Sequence, residues 1–221
     1  MENRLKTALW WAASTENGPS ELQTERKKHM PYQNSVGNPK VILVDEHDNA
    51  LGTQEKLRAH QDGGQLHRAF SIFIVDACAR ILLQRRARSK YHCPGLWANS
   101  CCSHPQPGTP ILRCARERLQ VELGFSVPLQ KIGAVQYRLP LRDGLTEWEH
   151  DHIFLGNYSG LVLPNPWEVD ECRWVPFSQL GEDIRNQADH YVPWLPHIYP
   201  ILIEHLRGRK EVIPGDIVIN G

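Results

Sequence analysis

The sequence predicts an α+β fold, and three observations carry that expectation. Short runs of β-branched and aliphatic residues, such as Val41–Val44, Phe70–Val75 and Arg80–Arg85, are separated by turn-forming residues and read as strands. Pro110–Leu123 places apolar residues at helical spacing. A second amphipathic segment, Pro196–Leu206, closes the apolar part of the chain. The 221 residues suffice for one sizeable core with extensions.

Composition narrows the class. Lys plus Arg number 25 and Asp plus Glu number 25, so the formal net charge is zero. That argues against a nucleic-acid partner, though a local basic pocket for a small anion stays open. No apolar run approaches the roughly 20 residues of a membrane span, so no membrane partner is expected. The six cysteines are irregularly spaced, with no CxxC pair and no secretory signal pattern before them. Reduced thiols in a cytoplasmic monomer are the expectation.

In chain order, residues 1–38 are polar and are expected to form a loosely ordered extension. The folded domain is expected over 39–206, with a peripheral tail at 207–221. Val41–Val44 is a strand, Asp45–Asn49 a turn, and Thr53–Ala59 a helical turn capped by Thr53. Such a turn puts Lys56 and His60 on one face. Gly63-Gly64 ends it. Phe70–Val75 and Arg80–Arg85 are expected to form a hairpin around Asp76–Ala79. The helix at 110–123 takes Thr109 as its cap and Gly124 as its stop, with Ile111, Leu112, Ala115, Leu119 and Leu123 facing the core. Lys131–Leu139 and Glu147–Tyr158 are strands joined through an Asp143-Gly144 turn. A short strand at 172–175, a helix at 178–186 and the helix at 196–206 complete the domain. Trp194, just before the last helix, reads as a packing anchor.

Three stretches suggest chemistry. The first is Asn99-Ser100-Cys101-Cys102-Ser103-His104-Pro105. In an extended segment side chains alternate, so Cys102 and His104 share one side while Cys101 and Ser103 face away. This fits either a reactive thiol beside an imidazole or two buried cysteines beside a surface histidine. The second is the basic run Arg85–Lys90, either a solvated loop or a phosphate clamp. The third is Glu147-Trp148-Glu149-His150-Asp151-His152. On a strand its carboxylates fall on one face, and Trp148, His150 and His152 on the other. Like charges two residues apart repel unless a cation lies between them; an exposed edge strand is the other reading. His60, His67, His104, Glu147 and Glu149 together would suit a divalent ion, with zinc, manganese and magnesium all fitting.

The chain closely resembles type I isopentenyl-diphosphate isomerase, a Nudix-fold family. The resemblance spans about residues 41–206 and rests on Lys56-Leu57-Arg58-Ala59-His60, Leu66-His67-Arg68-Ala69-Phe70-Ser71, Arg85-Arg86-Ala87 with Ser89-Lys90, Pro94-Gly95-Leu96-Trp97, the Asn99–Pro105 stretch, Glu122-Leu123-Gly124 and Glu147-Trp148-Glu149. Each piece is short, but their order and spacing together are specific. Ala98 stands where Thr is more usual in the family, and Gln106 where Leu is common.

The resemblance implies a Nudix-like α/β/α sandwich around a mixed β-sheet. It implies a metal held by His60, His67, His104, Glu147 and Glu149, as Mn2+, Zn2+ or Mg2+. It further implies Cys102 and Glu149 as the catalytic pair, helped by Tyr137. Lys56, Arg86, Lys90 and Arg118 would bind the diphosphate, Glu122 would carry Mg2+ there, and Trp194 would cover the carbon chain. The implied substrate is a small homoallylic or allylic diphosphate. The alternative is a Nudix pyrophosphohydrolase. Registered on Gly124, the hydrolytic box G-x5-E-x7-R-E-U-x-E-E-x-G-U, with U apolar, puts its other glycine on Ser103, its arginine on Glu117 and its remaining glutamates on Thr109, Arg118 and Val121. Only Glu122 and Gly124 match its polar and glycine positions, so most of the carboxylate cluster for pyrophosphate attack is missing.

Overall fold

The computed structural model describes residues 39–142 and 144–208. The expected extension, Asp143 of the expected turn and residues 209–221 lie outside the described residues. In chain order the elements are β1 (Lys40–Val44), β2 (Ala50–Glu55), α1 (Lys56–His60), β3 (His67–Val75), β4 (Arg80–Arg86), β5 (Trp97–Ala98), β6 (Cys101–Ser103), α2 (Ile111–Leu123), β7 (Gln130–Pro140), β8 (Thr146–Asn157), β9 (Val169–Pro176), α3 (Phe177–Asn186), a 3-10 turn (Ala188–His190) and α4 (Leu195–Gly208).

The strands form one nine-stranded mixed sheet. At its centre β3 runs parallel to β8, from His67 opposite Glu149 to Val75 opposite Asn157. The other pairings among the described residues are antiparallel: β1 with β2 and β3, β6 with β3, β4 with β3, β5 and β9, and β7 with β8.

The two-residue period of the strands sorts the core into two layers. Phe70, Ile72 and Ile74 of β3, Leu82 of β4 and Phe154 of β8 pack with Cys114, Ala115, Leu119 and Leu123 of α2. Their neighbours Phe73, Val75, Ile81, Leu83, Ile153 and Leu155 pack on the other face, against Phe177, Leu180, Leu195, Ile198 and Leu202 of α3 and α4. A helix on one face and two on the other give the expected α/β/α sandwich. The odd-numbered residues of β8, including Glu147 and Glu149, therefore share a face with α4.

Several local expectations need correction. Ala50–Glu55 is a strand, because it pairs antiparallel with β1. The following helix is capped by Glu55 rather than Thr53, its carboxylate accepting the Leu57 and Arg58 N–H groups. β3 and β4 do not zip into a hairpin. They pair only at Val75 and Ile81, and β4 lies along β9 instead. At α2 the cap residue is Pro110 and no side chain caps the helix, so Thr109 does not serve. Leu112 is exposed; Cys114 and Glu122 are buried on α2. Gly124 does stop α2, at φ 79, a left-handed conformation that glycine adopts without steric cost. The run 147–152 is no edge strand, since β8 lies between β3 and β7. The last helix extends through Gly208, into the expected tail.

Candidate active site

His67 opens β3 and stands opposite Glu149 in the parallel register. Glu147 precedes Glu149 by two and points to the same side. α1 ends in His60, and His104 follows β6, which is itself zipped to β3 at Cys102 and Ser71. The fold thus gathers five side chains from four elements. One ligand atom from each of His60, His67, His104, Glu147 and Glu149 lies within 4.8 Å of all the others. His60 and His67 are fully buried, and Glu147 is 2% exposed.

The hydrogen bonds show why a cation fits. His60 Nδ1 lies 2.7 Å from the Lys56 carbonyl oxygen, and His67 Nδ1 lies 2.7 Å from that of Gln65. A carbonyl only accepts, so each Nδ1 carries a proton and each ring turns its Nε2 inward, the nitrogen that would bind a cation. Yet His60 Nε2 is 2.9 Å from Glu147 Oε2, and His67 Nε2 is 3.0 Å from His104 Nε2. His104 Nε2 is in turn 2.8 Å from Glu149 Oε1. Burial pushes the two carboxyls up, but the histidines facing them hold both down at about 2, so they are charged. Burial, with Lys56, His67 and His60 nearby, pushes His104 well below the ordinary imidazole value. Protons on the rings therefore do not satisfy the whole group. A divalent ion would, and backbone carbonyls on the far nitrogens are the usual outer partners of metal-binding imidazoles. The five residues fit a metal.

The metal group opens into a cavity lined by Cys102, His104, Glu147 and Glu149 together with Lys56, Arg86, Lys90, Arg118 and Trp194; Phe70, His92 and Ser103 complete the wall. Its empty space, part of it open to solvent, is about 450 Å³. Four cationic side chains thus converge on one end. Lys90 and Arg118 both contact Glu168, with Arg118 Nη2 2.7 Å from its carboxylate. Burial, with repulsion from Lys90, Arg118 and Arg86, lowers Lys56 to about 8. Buried Trp194 stacks near Arg86, its ring centroid 5.5 Å from the guanidinium, and its indole N–H donates to Asn99 Oδ1 at 3.3 Å.

The two cysteines divide as alternation predicts. Cys102 lines the cavity, while Cys101 belongs to the α2 layer and is fully buried. Ser103 departs from the expectation, since it too reaches the cavity wall. Burial pushes the Cys102 thiol up to about 12, against the pull of Arg86, so it remains protonated at neutral pH.

His60, His67, Tyr137 and Glu122 lie outside the cavity lining. Tyr137 stands behind Glu149 on the paired strand and donates to Glu149 Oε2 at 2.6 Å. Glu122 is buried, with Oε1 2.6 Å from Arg118 Nε and Oε2 2.9 Å from Gln84 Nε2. Each of its oxygens carries one of these hydrogen bonds and keeps a further lone pair.

His92 escaped the sequence reading. It is buried, its Nε2 is 3.1 Å from Glu147 Oε1, and its carbonyl accepts from Arg86 at 3.1 Å. It ties the metal group to the cationic end. The only signal for it was its place beside the basic run.

Comparison with known proteins agrees with this geometry. The NUDIX domain model matches residues 65–195. Isopentenyl-diphosphate Delta-isomerase 2 of Aromatoleum aromaticum is 48% identical over 155 residues, covering 70% of this chain and 82% of the relative. The isopentenyl-diphosphate Delta-isomerase of Serratia proteamaculans is 46% identical over 154 residues, covering 70% and 86%. Among solved structures, DR0079 from Deinococcus radiodurans superposes with a TM-score of 0.61 at 15% identity, over 73% of this chain and 97% of that one. At that identity the likeness concerns the fold alone. By the domain match and by the extent of these identities, the chain belongs to the isopentenyl-diphosphate Delta-isomerase family of NUDIX-domain proteins.

Proposed function

We propose that this chain interconverts isopentenyl diphosphate and dimethylallyl diphosphate, supplying isoprenoid synthesis, with Cys102 and Glu149 moving the two protons. The observation that carries the reading is that one cavity is lined by both of these groups and by four cations. The cations suit a diphosphate. A protonated thiol facing a carboxylate suits a reaction that must give one proton and take another.

The substrate has a terminal CH2=C group. A proton delivered to the CH2 carbon makes it a methyl group and leaves a tertiary cation. Loss of a proton from the carbon two bonds from the oxygen then forms the new double bond. Cys102 and Glu149 are the opposed donor and acceptor, and the reverse reaction exchanges their roles. Tyr137 holds Glu149 through its hydroxyl and fixes which oxygen faces the cavity. Trp194 offers its face to the cation, an interaction worth about 0.5–2 kcal/mol. Lys56, Arg86, Lys90 and Arg118 hold the diphosphate, and that remote binding positions the five-carbon end.

His60, His67, His104, Glu147 and Glu149 would hold a divalent ion, Zn2+, Mn2+ or Mg2+. When bound it would fix the Glu149 carboxylate and tune its basicity. Mg2+ is expected to accompany the diphosphate. Glu122 would help to hold it, beside Arg118 and Gln84. The same reading makes the protein a cytoplasmic monomer, with 1–38 outside the catalytic domain.

Incubation with isopentenyl diphosphate and Mg2+ tests the reading. An acid-labile allylic diphosphate is the expected product. Release of inorganic phosphate without it would assign the chain to pyrophosphate hydrolysis instead.

A further inference from the structure

The reverse face of β8 carries a second cluster that the reaction does not use. Glu147 and Glu149 face α4, so the alternate residues His150 and His152 face away from the active site. There they meet Asp48, which lies in the turn between β1 and β2. One ligand atom from each of Asp48, His150 and His152 lies within 4.8 Å of the other two.

Each residue is held for the purpose. Asp48 sits at φ 65, and its Oδ1 accepts from Arg68 Nε at 2.7 Å. Arg68 also donates to the Asp48 carbonyl, which fixes the turn against the start of β3. The second carboxylate oxygen, Oδ2, is aimed at the imidazoles and stands 2.9 Å from His152 Nε2. His152 is 6% exposed, and its Nδ1 is buried with no hydrogen-bond partner. Burial holds this ring down at about 4, so it is neutral and able to give a lone pair. His150 lies beside it, ring centroids 5.2 Å apart, and the Gln136 amide is 3.0 Å from its Nδ1. A neutral ring that accepts there carries its proton on the other nitrogen, so an ion would take His150 by displacing the Gln136 contact.

We propose that Asp48, His150 and His152 form a second, structural metal site that takes a zinc-class divalent ion. Two imidazoles and one carboxylate are a borderline-soft donor set, and solvent would supply the fourth position of a tetrahedral ion. Lys131 and Arg68 are the cations that oppose this, and Asp48 Oδ1 already answers Arg68. Bound metal would staple the β1–β2 turn to β8, the strand that carries two ligands of the active-site group.

The test uses the full chain. It is stripped with a chelator, exchanged into clean buffer and titrated with Zn2+, while bound zinc is counted and the unfolding midpoint is followed. The wild type is expected to take up a further equivalent of zinc beyond the one at the five-residue group, with a rise in midpoint. Asp48→Asn and His150→Asn should each weaken that further equivalent about tenfold or more and leave the first in place. Asparagine tolerates the left-handed turn of Asp48, and His150 is only half-buried, so both variants should fold, whereas His152→Asn alters a buried position in the sheet. A wild type that binds a single equivalent, or variants that keep wild-type zinc affinity, would overturn the site. Absence of the variant-insensitive equivalent would instead count against the active-site metal.

Discussion

Tyr137 donates its phenolic proton to Glu149 across 2.6 Å, and the same hydroxyl oxygen lies 3.0 Å from Asp151 Oδ2, on the strand that pairs Tyr137 directly opposite Glu149. A ladder position thus becomes a device for aiming a carboxylate. Ser71 on β3 completes it, donating to Asp151 Oδ2 at 2.8 Å.

Tyr137→Phe keeps the ring packing and deletes only that donor. Turnover should fall about 10–100-fold with little change in KM, because the proposed diphosphate site is the cationic end. Steady-state kinetics check this. An unchanged kcat would mean that Glu149 needs no help from β7.

The two adjacent cysteines should separate cleanly. Cys102→Ala should abolish measurable isomerisation and leave the unfolding midpoint near the wild-type value. Cys101→Ala should keep turnover and lose about 1 kcal/mol of stability, since its thiol is fully buried against α2. Parallel activity assays and thermal melts read both. The opposite pattern would move the acid to Cys101.

Lys56 sets a pH dependence whose sign follows from its environment. Burial and three cationic neighbours lower it to about 8, below the 10.5 of an ordinary lysine. Between those values the unfolded chain binds the proton more readily than the folded one, so stability should rise with pH across that window. Substrate affinity should move the other way. As Lys56 loses its charge above about pH 8, KM should climb. Lys56→Arg, which stays charged, should flatten that limb. A KM profile identical in both proteins would remove Lys56 from the binding set.

Removing metal should silence the enzyme and soften it. Without a cation, two buried carboxylates and three imidazoles crowd together, with ligand atoms all within 4.8 Å of one another. Chelation should therefore lower both turnover and the unfolding midpoint, and a divalent ion should restore both. A fully active, metal-free preparation would refute the assignment of the five ligands.

Much of this site was legible because it obeys strand alternation. Cys102 with His104, and Glu147 with Glu149, each share a side for a reason visible in a few residues of sequence. What could not be read was anything that depends on which strands meet. The parallel register that sets His67 beside Glu149 joins distant parts of the chain. His92 reaches Glu147 only because the loop after β4 folds back, its carbonyl gripped by Arg86. β2 was misread because Thr53 looks like a helix cap locally, while pairing with β1 decides its conformation. That Arg118 and Gln84 meet the two oxygens of Glu122 is likewise set by packing and not by local sequence.

The most direct measurement runs the reaction in deuterium oxide. A thiol at Cys102 exchanges its proton with solvent, so the dimethylallyl diphosphate formed should carry deuterium in a methyl group, and Cys102→Ala should form none of it. Product that appears without deuterium, or labelled product from the Cys102→Ala protein at the wild-type rate, would contradict a proton delivered by Cys102.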